Sequence, residues 1–173
     1  MATWAIDTSH SQVGFTVRHM VFAKVRGEFK QWSAELELGD DLSASKVNVE
    51  IETASIFTNE EKRDGHLRSA DFFDSEKFPK MTFVSKRVEK SGGDLRLVGD
   101  LTIRGTTHEV TLEVEETGRG KDPWGQDRVG FAAKTTIDRT KWGLTWNAAL
   151  EAGGVLVSEK VDISIAIQAV KKA

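Results

Sequence analysis

Residues 95–103 read LRLVGDLTI, and an apolar residue or glycine occupies every second position from Leu95 to Ile103. Successive side chains of a β-strand point to opposite faces, so this alternation predicts a strand with one buried face. The same period recurs in further segments: Val13, Phe15 and Val17; Val47, Val49 and Ile51; Val110, Leu112 and Val114; Val129, Phe131 and Ala133; Val161, Ile163, Ile165 and Ile167. Val, Ile and Thr number 39 of 173 residues. With residues 3–7 and 80–88, we predict an all-β chain of about nine strands.

Residues 24–38 change the phase of this alternation. Apolar side chains stand at odd positions up to Phe29 and at even positions from Ala34 to Leu38. A single strand changes phase only through an extra residue, so we predict one strand with a β-bulge at residues 31–33. Bulges bend long strands, and a bent sheet can close on itself, which favours a barrel over a flat sheet.

Glycines mark the predicted connections. Gly92 and Gly93 predict a hairpin turn at residues 91–94, and Gly105 predicts another at residues 104–106. Residues 118–125 contain three glycines and one proline. This segment is predicted to be a loop between two strands.

One segment departs from the strand pattern. Thr58 and Glu61 fit a capping box, which predicts a short helix over residues 59–68. The residues that follow, 70–78, include three phenylalanines. We expect this aromatic segment to close one end of the barrel.

The composition excludes several classes of protein. There is no cysteine, and therefore no disulfide, thiolate metal site or cysteine nucleophile. The 24 basic and 27 acidic residues are interleaved and give a net charge of −3, so nucleic acid is not an expected partner. No run of about 18 apolar residues predicts a membrane span. Residues 1–11 lack the pattern of a secretory signal, so we expect a cytoplasmic protein, or a periplasmic one if a leader has been trimmed. One domain over residues 1–173 is expected.

Histidines are the first place to look for catalysis or metal binding, and the chain has four: His10, His19, His66 and His108. No two of them have the spacing of metal ligands. Isolated histidines mostly hydrogen-bond neighbouring backbone, so we expect no metal and no cofactor. The G-x-S-x-G nucleophile motif is absent, and Ser69 and Asp71 near His66 are weak evidence for a triad.

Residues 62–71 are dense in charge beside aromatic residues, and two interpretations stay open. In the favoured one, the two aspartates hold arginines and tie the helix to the barrel end. In the other, a polar rim anchors the head of an apolar ligand; its members are Arg63, Asp64, His66 and Asp71. Trp142 and Trp146 likewise belong either to the core or to the aromatic walls of a pocket mouth.

Seven motifs follow one another along nearly the whole chain: IDxxHS at residues 6–11, VxFxVxH at 13–19, GxF at 27–29, RDxHLxSxDFFD at 63–74, FPxMxF at 78–83, GDLTIRGT at 99–106 and IDRxxWG at 137–143. Together they resemble the YceI family, the lipocalin-like polyisoprenoid-binding proteins. The resemblance implies an eight-stranded antiparallel β-barrel with one helix, which holds a long isoprenoid lipid of polyprenyl or quinone type. It also implies a homodimer, and it carries over no catalytic residue.

The inward phase of the predicted strands supplies the candidate wall of the pocket: Phe15, Val17, Phe29, Val49, Ile51, Met81, Phe83, Leu101, Phe131, Ile163 and Ile165. We therefore expect non-catalytic binding, transport or storage of an isoprenoid lipid. Two alternatives stay open. One is an enzyme that acts on such a lipid through His66 or His10 with Asp64, and the other is an interaction module with a filled core.

Overall fold

The computed structural model describes residues 1–20, 22–148 and 156–173. Within these ranges the chain forms eleven strands and one α-helix. The strands are β1 (Ala2–Ile6), β2 (Gln12–His19), β3 (Ala23–Phe29), β4 (Trp32–Leu38), β5 (Lys46–Glu52), β6 (Ile56–Phe57), β7 (Lys80–Ser91), β8 (Asp94–Ile103), β9 (Thr106–Lys121), β10 (Asp127–Asp138) and β11 (Val157–Lys171), and the helix is α1 (Glu61–Arg68).

The strands close into an antiparallel barrel. β1 pairs with β4 on one side and β11 on the other, which completes the ring β1, β4, β5, β7, β8, β9, β10 and β11. This ring confirms the predicted eight-stranded antiparallel β-barrel with one helix. β11 is long enough to pair with β1 at its last residues and with β2 along the rest of its length. From β2, the sheet continues through β3 to the short β6.

The prediction of one bulged strand over residues 24–38 is wrong. The chain forms two strands, β3 and β4, which have different partners and are separated by Lys30 and Gln31. The backbone polar groups of this corner form hydrogen bonds with residues outside β3 and β4. Lys30 N–H donates to the Ser55 carbonyl, and the Gln31 carbonyl accepts the N–H of Glu52. The change of phase is real, but a corner produces it. Register shifts occur instead at residues 85–87, 130–131 and 157–161.

The two predicted hairpin turns are confirmed. Gly92, with a φ of +63°, joins β7 to β8, while Arg104 and Gly105 both have positive φ between β8 and β9. The predicted loop over residues 118–125 is wrong, because β9 continues to Lys121 and its glycines pair with β10. Only residues 122–126 form the turn, where the Asp122 carboxylate accepts backbone N–H groups from Trp124 and Gln126.

The predicted helix is confirmed, but its beginning is not. Asn59 has a φ of +63° and cannot be helical. The N-cap is Glu60, whose carboxylate accepts the N–H of Arg63, so Thr58 does not cap the helix. Thr58 instead donates its N–H and its hydroxyl to the buried carboxylate of Asp64.

The barrel has two different ends. The helix end comprises α1, residues 69–79, the β2–β3 connection, the β8–β9 turn and residues 139–148. The termini end comprises the β7–β8 and β9–β10 turns, residues 39–45 and the outer ends of β1 and β11. A cluster of buried side chains packs at the termini end: Trp4, Leu36, Leu38, Val129 and Ala169.

A candidate ligand-binding cavity

The barrel encloses an apolar cavity of about 270 Å³. Its wall consists of the inward-facing residues of the strands, as the period of two requires. Among the lining residues that the structure describes, only Ser45, Thr135 and Arg139 have a hydroxyl or a charged side chain. The cavity therefore offers a ligand dispersion contacts and burial from water almost everywhere.

The structure places all eleven candidate wall residues on this cavity: Phe15, Val17, Phe29, Val49, Ile51, Met81, Phe83, Leu101, Phe131, Ile163 and Ile165. Sequence reasoning left out further lining residues with the same alternation, such as Val110, Leu112 and Val114 on β9. It also left out Leu67 on α1 and Leu144 after β10, which long-range packing brings to the helix end. No local period marks those two.

The aromatic segment after the helix reaches the cavity through two of its three rings. Phe72 and Phe73 line the cavity, and the Phe73 ring packs edge-on against Phe29 at 5.7 Å between centroids. Phe78 does not belong to the described lining; its carbonyl accepts the hydroxyl of Thr53. The segment thus covers the helix end.

The two candidate tryptophans, Trp142 and Trp146, lie outside the described lining. Trp142 is buried in the core and donates its indole N–H to the Leu101 carbonyl at 2.9 Å. Trp146 is half-buried and packs behind Phe72, with the ring of His66 4.6 Å from its own. Trp142 therefore fixes the wall from behind, and Trp146 supports the aromatic cover.

The four predicted rim residues also lie outside the described lining, and they form two separate pairs. Asp64 and Arg63 both bind Thr58, through its hydroxyl and through its backbone. His66 and Asp71 contact each other, with 2.9 Å between Nε2 and Oδ2. Neither aspartate holds an arginine among the described contacts, so the network differs from the predicted one. His66 also meets Asp71 and not Asp64, the partner that the enzyme hypothesis named.

Arg139 is the charged cavity-lining residue that sequence reasoning did not name as a site. Its side chain is 5% exposed. The guanidinium donates to four backbone carbonyls, those of Leu144, Trp146, Val157 and Ser158. Burial lowers the pKa of Arg139, and the charges of Glu159 and Asp138 oppose this shift.

Through these hydrogen bonds Arg139 holds together separate segments of the helix end. It joins the segment after β10 to the beginning of β11, and its guanidinium carbon lies 5.7 Å from the centre of the Phe72 ring. The planar fork of an arginine holds five N–H donors in fixed directions, which suits several carbonyls at once better than the ammonium of a lysine. The IDRxxWG motif contained this residue, but a motif alone does not disclose these long-range acceptors.

The cluster around Trp4 packs at the termini end of the cavity. Arg119 lies above this ring, with 6.0 Å from its guanidinium carbon to the ring centre, and pairs with Glu116 at 2.6 Å. The indole nitrogen of Trp4 is buried and has no hydrogen-bond partner among the described residues. Bulky and charged side chains thus pack together at this end of the barrel.

Groups suited to metal binding are not gathered anywhere in residues 1–20, 22–148 and 156–173, where no three His, Asp or Glu side chains could hold an ion together. His10 contacts Asp7, and His108 contacts the carbonyl of Lys141. None of the helices in that part of the chain is long and apolar enough to cross a bilayer.

The geometry agrees with a family match. A model of the YceI-like domain matches residues 4–169. This chain belongs to the YceI-like family. The match confirms the resemblance seen in the motifs. A UPF0312 protein of Staphylococcus epidermidis is 43% identical to this YceI-like chain over 164 residues, which are 93% of either protein.

Two solved structures share the fold of this YceI-like chain. BcnA of Burkholderia cenocepacia has a TM-score of 0.82 at 22% identity, over 94% of this chain and 98% of BcnA. A polyisoprenoid binding domain from Saccharophagus degradans, implicated in plant cell wall breakdown, has a TM-score of 0.70 at 14% identity, over 99% of both chains. At these identities the likeness establishes the architecture of the barrel.

Proposed function

We propose that this YceI-like chain binds a long isoprenoid lipid, of polyprenyl or quinone type, inside its barrel and carries or stores it without chemical change. The observation that carries the proposal is the closed barrel with an apolar cavity of about 270 Å³. Family membership supports it, and so does the polyisoprenoid binding named for the Saccharophagus degradans domain of the same fold.

The cost of an empty cavity supports the presence of a guest. At about 24 cal/mol per Å³, an empty apolar cavity of about 270 Å³ would cost about 6 kcal/mol. The whole stability of a domain is about 5–15 kcal/mol. An apolar guest that fills the cavity relieves this cost.

The size of the cavity also indicates how a long lipid sits. A cavity of about 150 Å³ holds one benzene molecule, so about 270 Å³ takes only part of a long isoprenoid. The remainder displaces flexible wall side chains or leaves the barrel. Trp4 and its neighbours pack tightly at the termini end, and we therefore place the head of the lipid at the helix end. In this proposal the eleven wall residues contact the tail, and His66 and Asp71 lie near the head.

Extraction of the purified protein from its native host tests the proposal. We expect mass spectrometry of a denaturing organic extract to detect a prenyl lipid in an amount comparable to the protein. Repeated extracts without any lipid would contradict the proposal. Because burial of apolar surface is non-directional, lipids of similar tail length should bind with similar affinity.

The other hypotheses make different demands. An interaction module would have a filled core, and the apolar cavity argues against that hypothesis. If the protein were an enzyme that acts through His66, His66→Ala would abolish turnover while the lipid is retained. We expect instead no turnover in the wild type and full retention of the lipid in this variant. A homodimer, which the family resemblance implies, would be seen as twice the chain mass in light scattering.

A further inference from the structure

The connection between β2 and β3 exposes large apolar side chains. Phe22 is 94% exposed and Met20 is 46% exposed, while Val21 between them lies outside the described residues. Met20 also has a φ of +54°, a conformation that side-chain-bearing residues rarely adopt. Hairpin connections usually carry Gly, Asn or Asp, so an apolar sequence at this place is unusual. We call Met20 and Phe22 the tip.

The tip stands at the helix end, next to the cavity. His19, which precedes it, pairs with Val157 of β11, and Met20 N–H donates to the carbonyl of Leu156 at 2.7 Å. Val157 and Val17, on the two paired strands, both line the cavity. The tip therefore continues the strands that form the wall.

The charged side chains of residues 13–27, on either side of the tip, are all basic. Arg18, Lys24 and Arg26 are exposed, and residues 13–27 contain no acidic residue. Across the part of the chain that the structure describes, none of these three cations forms an ion pair, although fifteen such pairs are present elsewhere. Two exposed apolar side chains within a field of unpaired cations match the two layers of a membrane surface, its anionic headgroups and its acyl chains.

Trp124 at the termini end shows that exposure alone does not create such a surface. It is 79% exposed, but the cations around it are paired: Lys121 with Asp127, and Arg128 with Asp122. The barrel therefore has an exposed aromatic residue at each end, and the cations beside the one at the helix end form no ion pair among the residues that the structure describes.

We propose that the tip docks this protein on anionic lipid bilayers, with Phe22 and Met20 inserted among the acyl chains and Arg18, Lys24 and Arg26 on the headgroups. Docking in this orientation turns the helix end, where the cavity is covered by Phe72 and Phe73, toward the bilayer. The inference goes beyond the proposed function, because the docking surface lies outside the cavity and does not depend on its contents.

Flotation of the purified full chain with vesicles tests the docking. We expect it to float with vesicles of phosphatidylglycerol and phosphatidylcholine in equal amounts, and to stay behind with pure phosphatidylcholine. Raising the ionic strength from about 0.15 M to about 1 M shortens the Debye length from about 8 Å to about 3 Å and should weaken flotation.

Two tip variants separate the apolar part from the charged part. We expect Met20→Ser with Phe22→Ser, and separately Arg18→Glu with Lys24→Glu, to weaken binding to the anionic vesicles by about tenfold or more. The matched controls lie at the termini end. Trp124→Ser, and Lys171→Glu with Lys172→Glu, should bind as the wild type does. All substituted side chains are exposed, so each variant should keep the melting temperature of the wild type.

The proposal is overturned if the wild type does not float with anionic vesicles, or if both tip variants float as well as it does. A dimer in light scattering that the Met20 and Phe22 variant abolishes, without vesicle binding, would assign the tip to a second copy of the chain and would also overturn it. Vesicle binding is measured separately from the lipid content of the cavity, so an empty extract counts against the proposed function alone.

Discussion

Phe83 on β7 lies over Gly99 on β8, and its ring fills the space that a side chain at position 99 would need. The carbonyl oxygen of Val84 would also lie 2.6 Å from a Cβ at this position. A ring can turn away, but the backbone of a paired strand cannot. We therefore expect Gly99→Ala to lower the free energy of unfolding by about 1–3 kcal/mol.

Gly27→Ala is the matched comparison for Gly99→Ala. The three atoms nearest to a Cβ at Gly27 on β3 all belong to the ring of Phe15. Substitution of Gly27 should cost less, since the far end of one side chain can move. Urea denaturation of both variants measures the difference. A Gly99→Ala protein as stable as Gly27→Ala would show that β7 and β8 yield more easily than the geometry indicates.

The second prediction concerns Arg139. We expect Arg139→Met to lower the free energy of unfolding by about 3 kcal/mol or more, because several buried carbonyls lose their donors. Arg139→Lys should restore little, since an ammonium lacks the planar fork. Arg104→Met serves as the control; this half-buried arginine at the same end donates to two carbonyls, at 3.1 and 3.5 Å. Similar losses for the two arginines would refute the special role of Arg139.

The third prediction concerns acid stability at Asp7. Hydrogen bonds from Ser9 and from the Arg128 guanidinium, with His10 2.8 Å away, hold the pKa of this carboxyl well below its ordinary value. Its contribution to stability is therefore present above the unfolded pKa of about 3.9 and is lost as the pH falls toward the lower folded pKa.

We expect Asp7→Asn to be about 2 kcal/mol less stable than the wild type at neutral pH. This gap should narrow steadily once the pH falls below about 4. Thermal unfolding of both proteins across this range measures it. A gap that stays constant down to the most acidic point would show that the charge of Asp7 contributes nothing.

The fourth prediction uses two neighbouring alanines on β10. Ala133 lines the cavity, whereas Ala132 points to the other face of the strand. Ala133→Leu should fill part of the space and reduce the amount of lipid in an organic extract at least about threefold. Ala132→Leu adds the same atoms outside and should retain the lipid of the wild type. Equal retention by both variants would place the lipid elsewhere.

The barrel wall could be predicted from the sequence because apolar and polar residues alternate along each strand. Phe131 and Ile163, for example, are known to face inward as soon as the period of two is recognised. The hairpin at Gly105 could be predicted for a similar reason, since the turn and its requirement for positive φ lie within two residues.

The joints of the barrel could not be predicted in the same way. The corner at Lys30 depends on Ser55 and Glu52, which are distant in sequence, and a change of phase is equally compatible with a bulge. Thr58 fits the sequence pattern of a helix cap. Its hydrogen bonds to Asp64 form only when the helix has folded, so the sequence does not reveal them. The acceptors of Arg139 belong to segments that converge only in the closed barrel.

The pairing of β1 with β11 has a consequence for synthesis. The seam joins residues 4–6 to residues 169–171, so the ring cannot shut until residues 169–171 have left the ribosome. Until then β10 and β2 each lack the neighbour that β11 provides, and two strand edges are left unpaired. Such distant pairing makes closure a late and slow event, and a nascent chain stalled before β11 would be prone to aggregate.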